Sequence, residues 1–391
     1  MRVLFVHDYY QQPGGEDTVF TAESLLLEAY GHRVLRYTAH NDCATAMGRV
    51  ALARTTVYNP VAYRELRALI HGERPQIVHL HNTFPLISPS AYYAARAEGV
   101  PVVQTLHNYR LFCPTATFFR DGRVCEDCLG KSVPWPGLLH ACYRSSRLAT
   151  GAVAAMMAVH RAAGTWTNAV DVYIALTEFA RRKCIAGALP ADKIAVKPHF
   201  VHPDPGAGRG QGGYAVFVGR LSPEKGLNTL LRAWDQLPER MPLKIVGDGP
   251  LAGRVATIVP KLPAVEWLGR KPLQEVYALI GEAAFLVVPS ECYETFGRVV
   301  IEAFAKGTPV IVSHIGAISE AVDAGRTGLH FRPGDASDLA RQVEWALAHP
   351  AHLARMRAEA RREYETRYTA ERNYEMLTEI YDLAAERMRG A

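Results

Sequence analysis

Residues 284–312 constrain the fold more tightly than any other stretch of the chain. An apolar run, Ala284-Phe-Leu-Val-Val288, reads as a buried strand and leads into a polar loop ending in Glu294-Thr295-Phe296-Gly297. Apolar positions then recur at helical spacing through Phe304, Gly307 stops the helix, and Pro309-Val-Ile-Val312 opens another strand. Strand, loop, helix, strand is the unit of a parallel sheet. Two carboxylates mark this one: Glu294 where the loop meets the helix start, and Glu302 two turns inside. On a continuous helix, the eight residues between them rise ~12 Å. The helix N-terminus offers backbone N–H groups and a positive dipole end, which suit an anion. Taken alone, the pair reads equally as a surface loop acid and a helix-face acid.

The rest of the chain decides between those readings. Its 391 residues exceed one ordinary core and suggest two domains. A hydrophobic share of 49% with 21% charged residues is that of a soluble globular protein, and no apolar run reaches the ~20 residues of a membrane span. Met1-Arg-Val-Leu-Phe-Val-His passes straight into a strand, so no secretory leader and a cytoplasmic location are expected. Net charge is +5, divided as +6 over residues 1–200 (21 Lys/Arg, 15 Asp/Glu) and −1 over 201–391 (23 and 24). A basic first half suits an anionic membrane surface or a phosphorylated acceptor, and equally fits charge scattered over solvated faces. No nucleic-acid partner is expected. Seven cysteines, an odd number, argue against a disulfide framework.

Taken in order, Arg2–Val6 is a strand that runs into a glycine loop, Tyr9 to Glu16. A helix follows from about Asp17 to Tyr30, then a second strand over residues 32–37. Gly14 and Gly15 would let backbone approach a phosphate, although turn geometry alone also places two glycines in such loops. Strands at Ile77–Leu80 and Val102–Leu106 end in histidines: His79 and His81 in the first, His107 in the second. Strand-end polar residues line the crevice of an open α/β sheet, which makes His107 the foremost site candidate. Residues 111–170 break the alternation as an insertion. They hold an Ala-rich helix, Ser146 to about Ala163, apolar nearly all round, which is either a core helix or a surface against a bilayer or lipid acceptor.

Residues 202–213 read by composition as a linker. They contain a literal G-x-G-x-x-G, but it precedes a strand rather than following one, so it is no dinucleotide fingerprint. The domains are therefore expected at 1–201 and 214–370, with a last helix, 371–391, packing back on the first. In the second domain a strand, Tyr214–Val218, turns at Gly219-Arg220-Leu-Ser-Pro-Glu-Lys225-Gly226 into a helix. Two cations on such a turn suit a diphosphate, Arg220 as a planar fork and Lys225 as a point charge. A solvated Lys225 on an ordinary helix start is the plainer alternative.

Together, Glu294-x7-Glu302, Gly219–Gly226, Gly247-Asp-Gly-Pro250, and Gly307-x-Pro-Val-x-x-Ser313 followed by Gly316 and Glu320 resemble the retaining family-4 glycosyltransferases of the GT-B fold. The resemblance covers essentially the whole chain and is strongest from about 214 to 345. It implies an α/β protein of two Rossmann-like parallel-sheet domains facing a cleft, with the acceptor mainly on the first and a nucleotide-sugar on the second. It also implies roles for matching positions. Arg220, Lys225 and the amides around Thr295, Phe296 and Gly297 would hold the donor diphosphate. Glu302 would bind the ribose and Glu294 the transferred sugar. Gly14 and Gly15 would touch donor phosphate on closure, and His107 would lie near the reacting sugar.

No Asp-x-Asp pair occurs in the sequence, so a metal-bridged diphosphate is disfavoured and no catalytic cofactor is expected. The family expectation is front-face retention with a hydroxyl acceptor, either a glycan or a polyprenyl-diphosphate-linked lipid, in bacterial surface polysaccharide or glycolipid assembly at the inner membrane. One feature lies outside the resemblance: Cys113-x11-Cys125-x2-Cys128-x13-Cys142, a spacing compatible with tetrahedral structural zinc and equally with buried thiols. The competing functions are a nucleotide-sugar epimerase or phosphorylase on the same fold, and a zinc-stapled binding protein without catalysis.

Overall fold

The computed structural model describes residues 1–12, 14–238 and 241–390. Pro13, in the expected glycine loop, and Ala391, at the expected end of the last helix, fall outside them. The chain divides into two compact units. The first takes Met1–Phe118, Cys125–Pro198 and the residues from Asn373 onward; the second takes Phe119–Val124 and His199–Arg372.

Eight strands come from the first half: β1 (Arg2–Tyr9), β2 (Arg33–His40), β3 (Ile77–Asn82), β4 (Val102–Thr105), β5 (Phe119–Arg120), β6 (Arg123–Val124), β7 (Val172–Ala175) and β8 (Ile194–Val196). All but the small β5–β6 hairpin form one sheet, ordered β2-β1-β3-β4-β7-β8, and every pairing in it is parallel. Val3 and Phe5 of β1 pack with Ile77, Val103, Val172 and Ile174 under Phe20 and Leu27 of the helix Gly15–Ala29. The last helix, Ala370–Gly390, belongs to this core, as expected. Its Leu377, Ile380, Tyr381 and Ala384 recur at helical spacing and are all buried in it. Each large apolar side chain so buried contributes about 2 kcal/mol.

Residues 43–73, which the sequence left without elements, form the helices Arg49–Val57 and Pro60–Glu73 after a short 3-10 turn. The Ala-rich helix runs from Arg147 to Ala162 and packs as a core helix on one side only. It buries Thr150, Val153, Ala154, Met156, Met157 and His160, yet leaves Leu148 79% exposed and Val159 49% exposed. Among the described residues, no helix is long and apolar enough to cross a membrane.

The second unit has β9 (Ala215–Val218), β10 (Leu243–Val246), β11 (Val265–Gly269), β12 (Phe285–Val288), β13 (Val310–Ser313) and β14 (Gly328–Phe331). Their order is β11-β10-β9-β12-β13-β14, again all parallel. The chain builds outward from β9 through β10 and β11, then crosses back to β12 and builds the other way. The crevice outside the carboxyl ends of β9 and β12 is therefore the topological switch point, where open α/β sheets bind ligands. Ala215, Phe217, Phe285, Val287 and Ile311 form the core beneath it with helices on both faces.

Two local expectations change. Residues 206–213 do not behave as a free linker. Gly208 N donates to Lys306 O, and Gly210 N and Gly212 N donate to Gly281 O and Glu282 O. A Cβ on Gly208 would stand 2.2 Å from Gly281 O. The glycines are there because backbone packs on backbone. The second change concerns Glu302. The helix begins at Arg298, after an αL Gly297, so Glu302 is its fifth residue, about one turn inside rather than two. The continuous ~12 Å helical rise from Glu294 does not apply.

Candidate active site

The loops after β9 and β12 are locked together. Glu291 N donates to Glu224 O at 2.8 Å, and Thr229 Oγ1 donates to Glu291 Oε1 at 2.6 Å. Gly226 makes the fit possible: its φ is +69°, and a Cβ there would lie 1.7 Å from Pro289 O. Likewise a Cβ on Gly247 would lie 1.9 Å from Gly219 O, which holds the β10 loop against the cationic turn. Glycine is required at both positions.

This framework puts Lys225 Nζ 2.9 Å from Glu294 Oε1. The Ser290 hydroxyl donates to the same carboxylate. Burial alone would raise the Glu294 carboxyl, but the Lys225 ammonium and Ser290 outweigh it and hold it below the usual carboxylate range. Burial works against the ammonium too, and Glu294 reverses it, keeping Lys225 above the usual lysine range. Both groups are therefore charged at neutral pH. Arg220, on the same turn, is exposed. Gly297, at the N-cap, offers no side chain to cap the helix Arg298–Ala305. Its first turn thus faces the switch point with backbone N–H groups and the positive dipole end. Phe296 is 4% exposed and its ring meets His199 at 5.1 Å, so its side chain anchors the loop and its backbone alone is left to face a ligand. Glu302 is buried beside Arg298, Nη2 to Oε1 3.0 Å.

In the first unit, the strand-end histidines separate by their partners. His79 bonds Tyr381 through Nδ1 and Thr105 through Nε2, both at 2.8 Å, which is a structural role for both nitrogens. His81 Nδ1 lies 3.0 Å from His107 Nε2, with the rings stacked. Burial first, then the neighbouring histidines and Lys197, push His81 far below the usual range, so it is a neutral ring. Behind it stands Glu23, whose Oε2 is 3.7 Å from His81 Nε2 and whose Oε1 pairs with Lys197 Nζ at 2.5 Å. The side chains of Glu23 and Lys197 are fully buried. Glu23, His79 and His81 also form the tight trio of metal-type ligand atoms among the described residues. Lys197 already supplies the cation there, and His79 has both nitrogens engaged, so the trio reads as an ionic core.

Gly14 caps the helix Gly15–Ala29 with extended backbone, φ −121°, and a Cβ there would meet nothing closer than 3.9 Å. Turn geometry therefore does not call for glycine at 14. Gly14 N donates to Asp17 Oδ2, and Asp17 Oδ1 pairs with His7 Nε2, both at 2.7 Å. Glu16, Glu23, Asp8 and Lys197 were all missed in the sequence. Of these, only Glu16, directly after Gly14-Gly15, stood beside a signal that could have found it. Glu16 accepts from Tyr10 and Asn108, at 2.9 and 2.7 Å, and burial raises its carboxyl. A small, partly open pocket lies at the ends of β3 and β4. Phe84, Tyr92, Met156 and Trp166 line it together with His107 and Arg110.

Residues 206–363 match the family described as "Glycosyl transferases group 1", and residues 14–199 match the "Glycosyl transferase 4-like domain". Glycogen synthase of Mycobacterium tuberculosis is 38% identical over 154 residues, which cover 38% of this chain and 37% of that protein. A D-inositol 3-phosphate glycosyltransferase of Rhodococcus jostii is 27% identical over 328 residues, 78% of this chain and 66% of that one. The aligned part is thus little more than a third of the first relative's length. The crystal structure of Anabaena HepE in complex with UDP shares the fold with a TM-score of 0.70 at 17% identity, over 97% of this chain and 99% of that one. Two all-parallel Rossmann-like sheets and this neighbour make the fold GT-B. With the two family matches lying end to end along it, the chain belongs to the group 1 glycosyl transferases of the family-4 type.

Proposed function

We propose that the protein is a retaining glycosyltransferase that moves a sugar from a nucleotide-sugar to a hydroxyl acceptor in bacterial surface polysaccharide or glycolipid assembly. The observation that carries this reading is the Lys225–Glu294 pair at the β9/β12 switch point, beside exposed Arg220 and an uncapped helix start. The group that leaves is a nucleoside diphosphate, and negative charge builds on its β-phosphate as the sugar C1–O bond breaks. Arg220, Lys225 and the amides around Thr295, Phe296 and Gly297 are the preorganised donors for that charge. Glu302 takes the ribose hydroxyls, and Glu294, held ionised, takes hydroxyls of the transferred sugar. The acceptor oxygen attacks C1 from the face the phosphate leaves, and its proton passes to the departing phosphate oxygen. No enzyme nucleophile and no metal are needed in this scheme. From the first unit, His107 serves the reacting sugar and the Gly14–Gly15 loop serves donor phosphate.

UDP-glucose is the first donor to try, because HepE crystallises with UDP and with UDP-glucose. The aromatic cavity with Arg110 fits a glycan or lipid-diphosphate acceptor, with the guanidinium 4.4 Å over the Phe84 ring. Membrane contact has its own support. The helices Arg49–Val57 and Trp135–Leu139 pack on the helix Arg147–Ala162, and Val50, Trp135, Leu138, Leu139 and Leu148 on these helices are exposed. Neither residues 43–64 nor residues 128–170 contain an Asp or Glu. An acid-free surface with exposed Trp and Leu suits an anionic bilayer.

Incubating the chain with UDP-, GDP-, ADP- and dTDP-sugars and candidate acceptors tests the function, with the product anomer read by NMR. Transfer with the donor's anomeric configuration is expected; inversion refutes retention. Donor conversion without acceptor would mean an epimerase, and binding without turnover a binding protein. Sedimentation with anionic vesicles, lost in Trp135→Ser/Leu139→Ser, is the expected sign of the membrane face.

A further inference from the structure

Residues 113–145 carry little regular structure. Their regular structure is the two-residue strands β5 and β6 and one five-residue helix, Trp135–Leu139. Six of their non-glycine residues, Ala116, Phe118, Asp121, Ala141, Arg144 and Ser145, sit at positive φ. A segment this short and irregular cannot bury a core of its own and usually carries a staple.

Four cysteines converge in it. Gly137 is the meeting point: a Cβ there would lie 2.7 Å from Pro114 Cγ, next to Cys113, and 3.4 Å from Cys128 Sγ. Cys142 N donates to Gly137 O at 3.0 Å. Between Phe118 and Lys131 the chain turns tightly, with Cys125 N on Phe118 O at 2.8 Å, Leu129 N on Glu126 O and Lys131 N on Cys128 O. That turn presents Cys125 and Cys128 from one knuckle. None of the four is in a disulfide.

We propose that Cys113, Cys125, Cys128 and Cys142 form a structural zinc site, a four-thiolate staple that fastens the insertion. The C-x2-C knuckle with two outlying cysteines is the ligand pattern of closed, four-coordinate sites. All-sulfur ligation selects a soft or borderline metal such as zinc over the hard cations magnesium and calcium. The site is distinct from the Glu23, His79 and His81 trio, whose ligand atoms already lie within 4.8 Å of one another around an internal ammonium. Among the described residues the cysteine sulfurs do not form such a trio; a bound zinc would hold them at the ~4 Å mutual spacing that Zn–S bonds of ~2.3 Å require. A zinc staple does not depend on the proposed transferase activity.

Elemental analysis of the full chain, purified with reductant and without chelator, tests the site. One zinc per chain is expected. Cys125→Ser/Cys128→Ser should lose it, while Cys184→Ser and His79→Gln should keep it. Because the double variant could misfold, the wild-type protein should also be titrated with a mercurial in the presence of a chromogenic zinc indicator. Zinc is expected to leave in step with modification of the thiols. Protein without zinc overturns the proposal, whether its thiols titrate as reduced or two of them are oxidised. So does zinc that survives the double cysteine substitution or is lost in His79→Gln.

Discussion

Both sheets are six-stranded and all-parallel, differing in where the third strand sits, but they handle charge in opposite ways. At the β9/β12 switch point Lys225 and Glu294 meet at 2.9 Å with 28% and 14% of their side chains still exposed, and Arg220 stands open beside them. At the matching ends of β1, β3 and β4, the Lys197–Glu23 pair is 2.5 Å long and fully buried, with two histidines stacked in front of it. The open pair, which the proposed function gives to a ligand, stays partly wet. A charge that holds two elements together is sealed. Burying a pair costs several kcal/mol per ion in desolvation, so the sealed pair is intolerant of losing one member.

That contrast breaks first at the sealed pair. Glu23→Gln is expected to lower unfolding free energy by about 3–5 kcal/mol, because Lys197 is left buried and uncompensated. Glu23→Leu/Lys197→Met should recover most of the loss in urea denaturation, and no recovery would show that the pair does more than hold the core. Next comes Asp8, fully buried, with one oxygen accepting from Leu86 N. Burial raises its carboxyl from 3.8 to about 7. Between those values the unfolded chain has released a proton that the fold retains, so stability falls as pH rises from about 4 to 7 and levels off above. The displacement is worth about 4 kcal/mol at most. Asp8→Asn should flatten that slope, and a slope unchanged in the variant would assign it to another group.

At the open pair the effect is on turnover. Lys225→Ala should cut kcat/KM by about 100- to 1,000-fold while shifting the melting temperature little, since partly exposed pairs contribute about 0–1 kcal/mol. A large loss of stability would place Lys225 with Lys197. The smallest effects distinguish the two glycine loops. Gly226→Ala should destabilise by more than about 2 kcal/mol, because φ is +69° and Pro289 O occupies the Cβ position. Gly14→Ala should change stability by less than about 0.5 kcal/mol and weaken donor binding instead. Equal destabilisation in both would remove the argument that Gly14 leaves room for a ligand.

The same contrast explains what the sequence could and could not disclose. Arg220 and Lys225 could be read together because they lie five residues apart on one short turn, whereas Glu294 was singled out by its own strand–loop–helix unit. The parallel sheets were legible from strand–helix alternation; the return of the last helix was expected from its place after the second sheet and from the family resemblance, and Leu377, Tyr381 and Ala384 on one face carry it. Lys197 and Glu23 were not legible, because 174 residues separate them and each alone is an ordinary charged residue. His79 and His81 could not be told apart either, since the difference lies in Tyr381 and Thr105 rather than in the strand. The glycines at 208, 210 and 212 looked like a linker for a related reason: composition signals backbone freedom, and only the fold shows that Lys306, Gly281 and Glu282 use it up.

The central claim is that the β9/β12 switch point binds the diphosphate of a nucleotide-sugar, and thermal unfolding with a panel of nucleotide-sugars tests it most directly. At least one donor should raise the melting temperature of the wild-type chain, by the amount that binding to the folded state alone provides. That shift should disappear in Lys225→Ala and shrink in Arg220→Ala, while Lys197→Met, destabilised though it is, should still respond. An undiminished shift in Lys225→Ala, or no shift with any donor, would contradict the account.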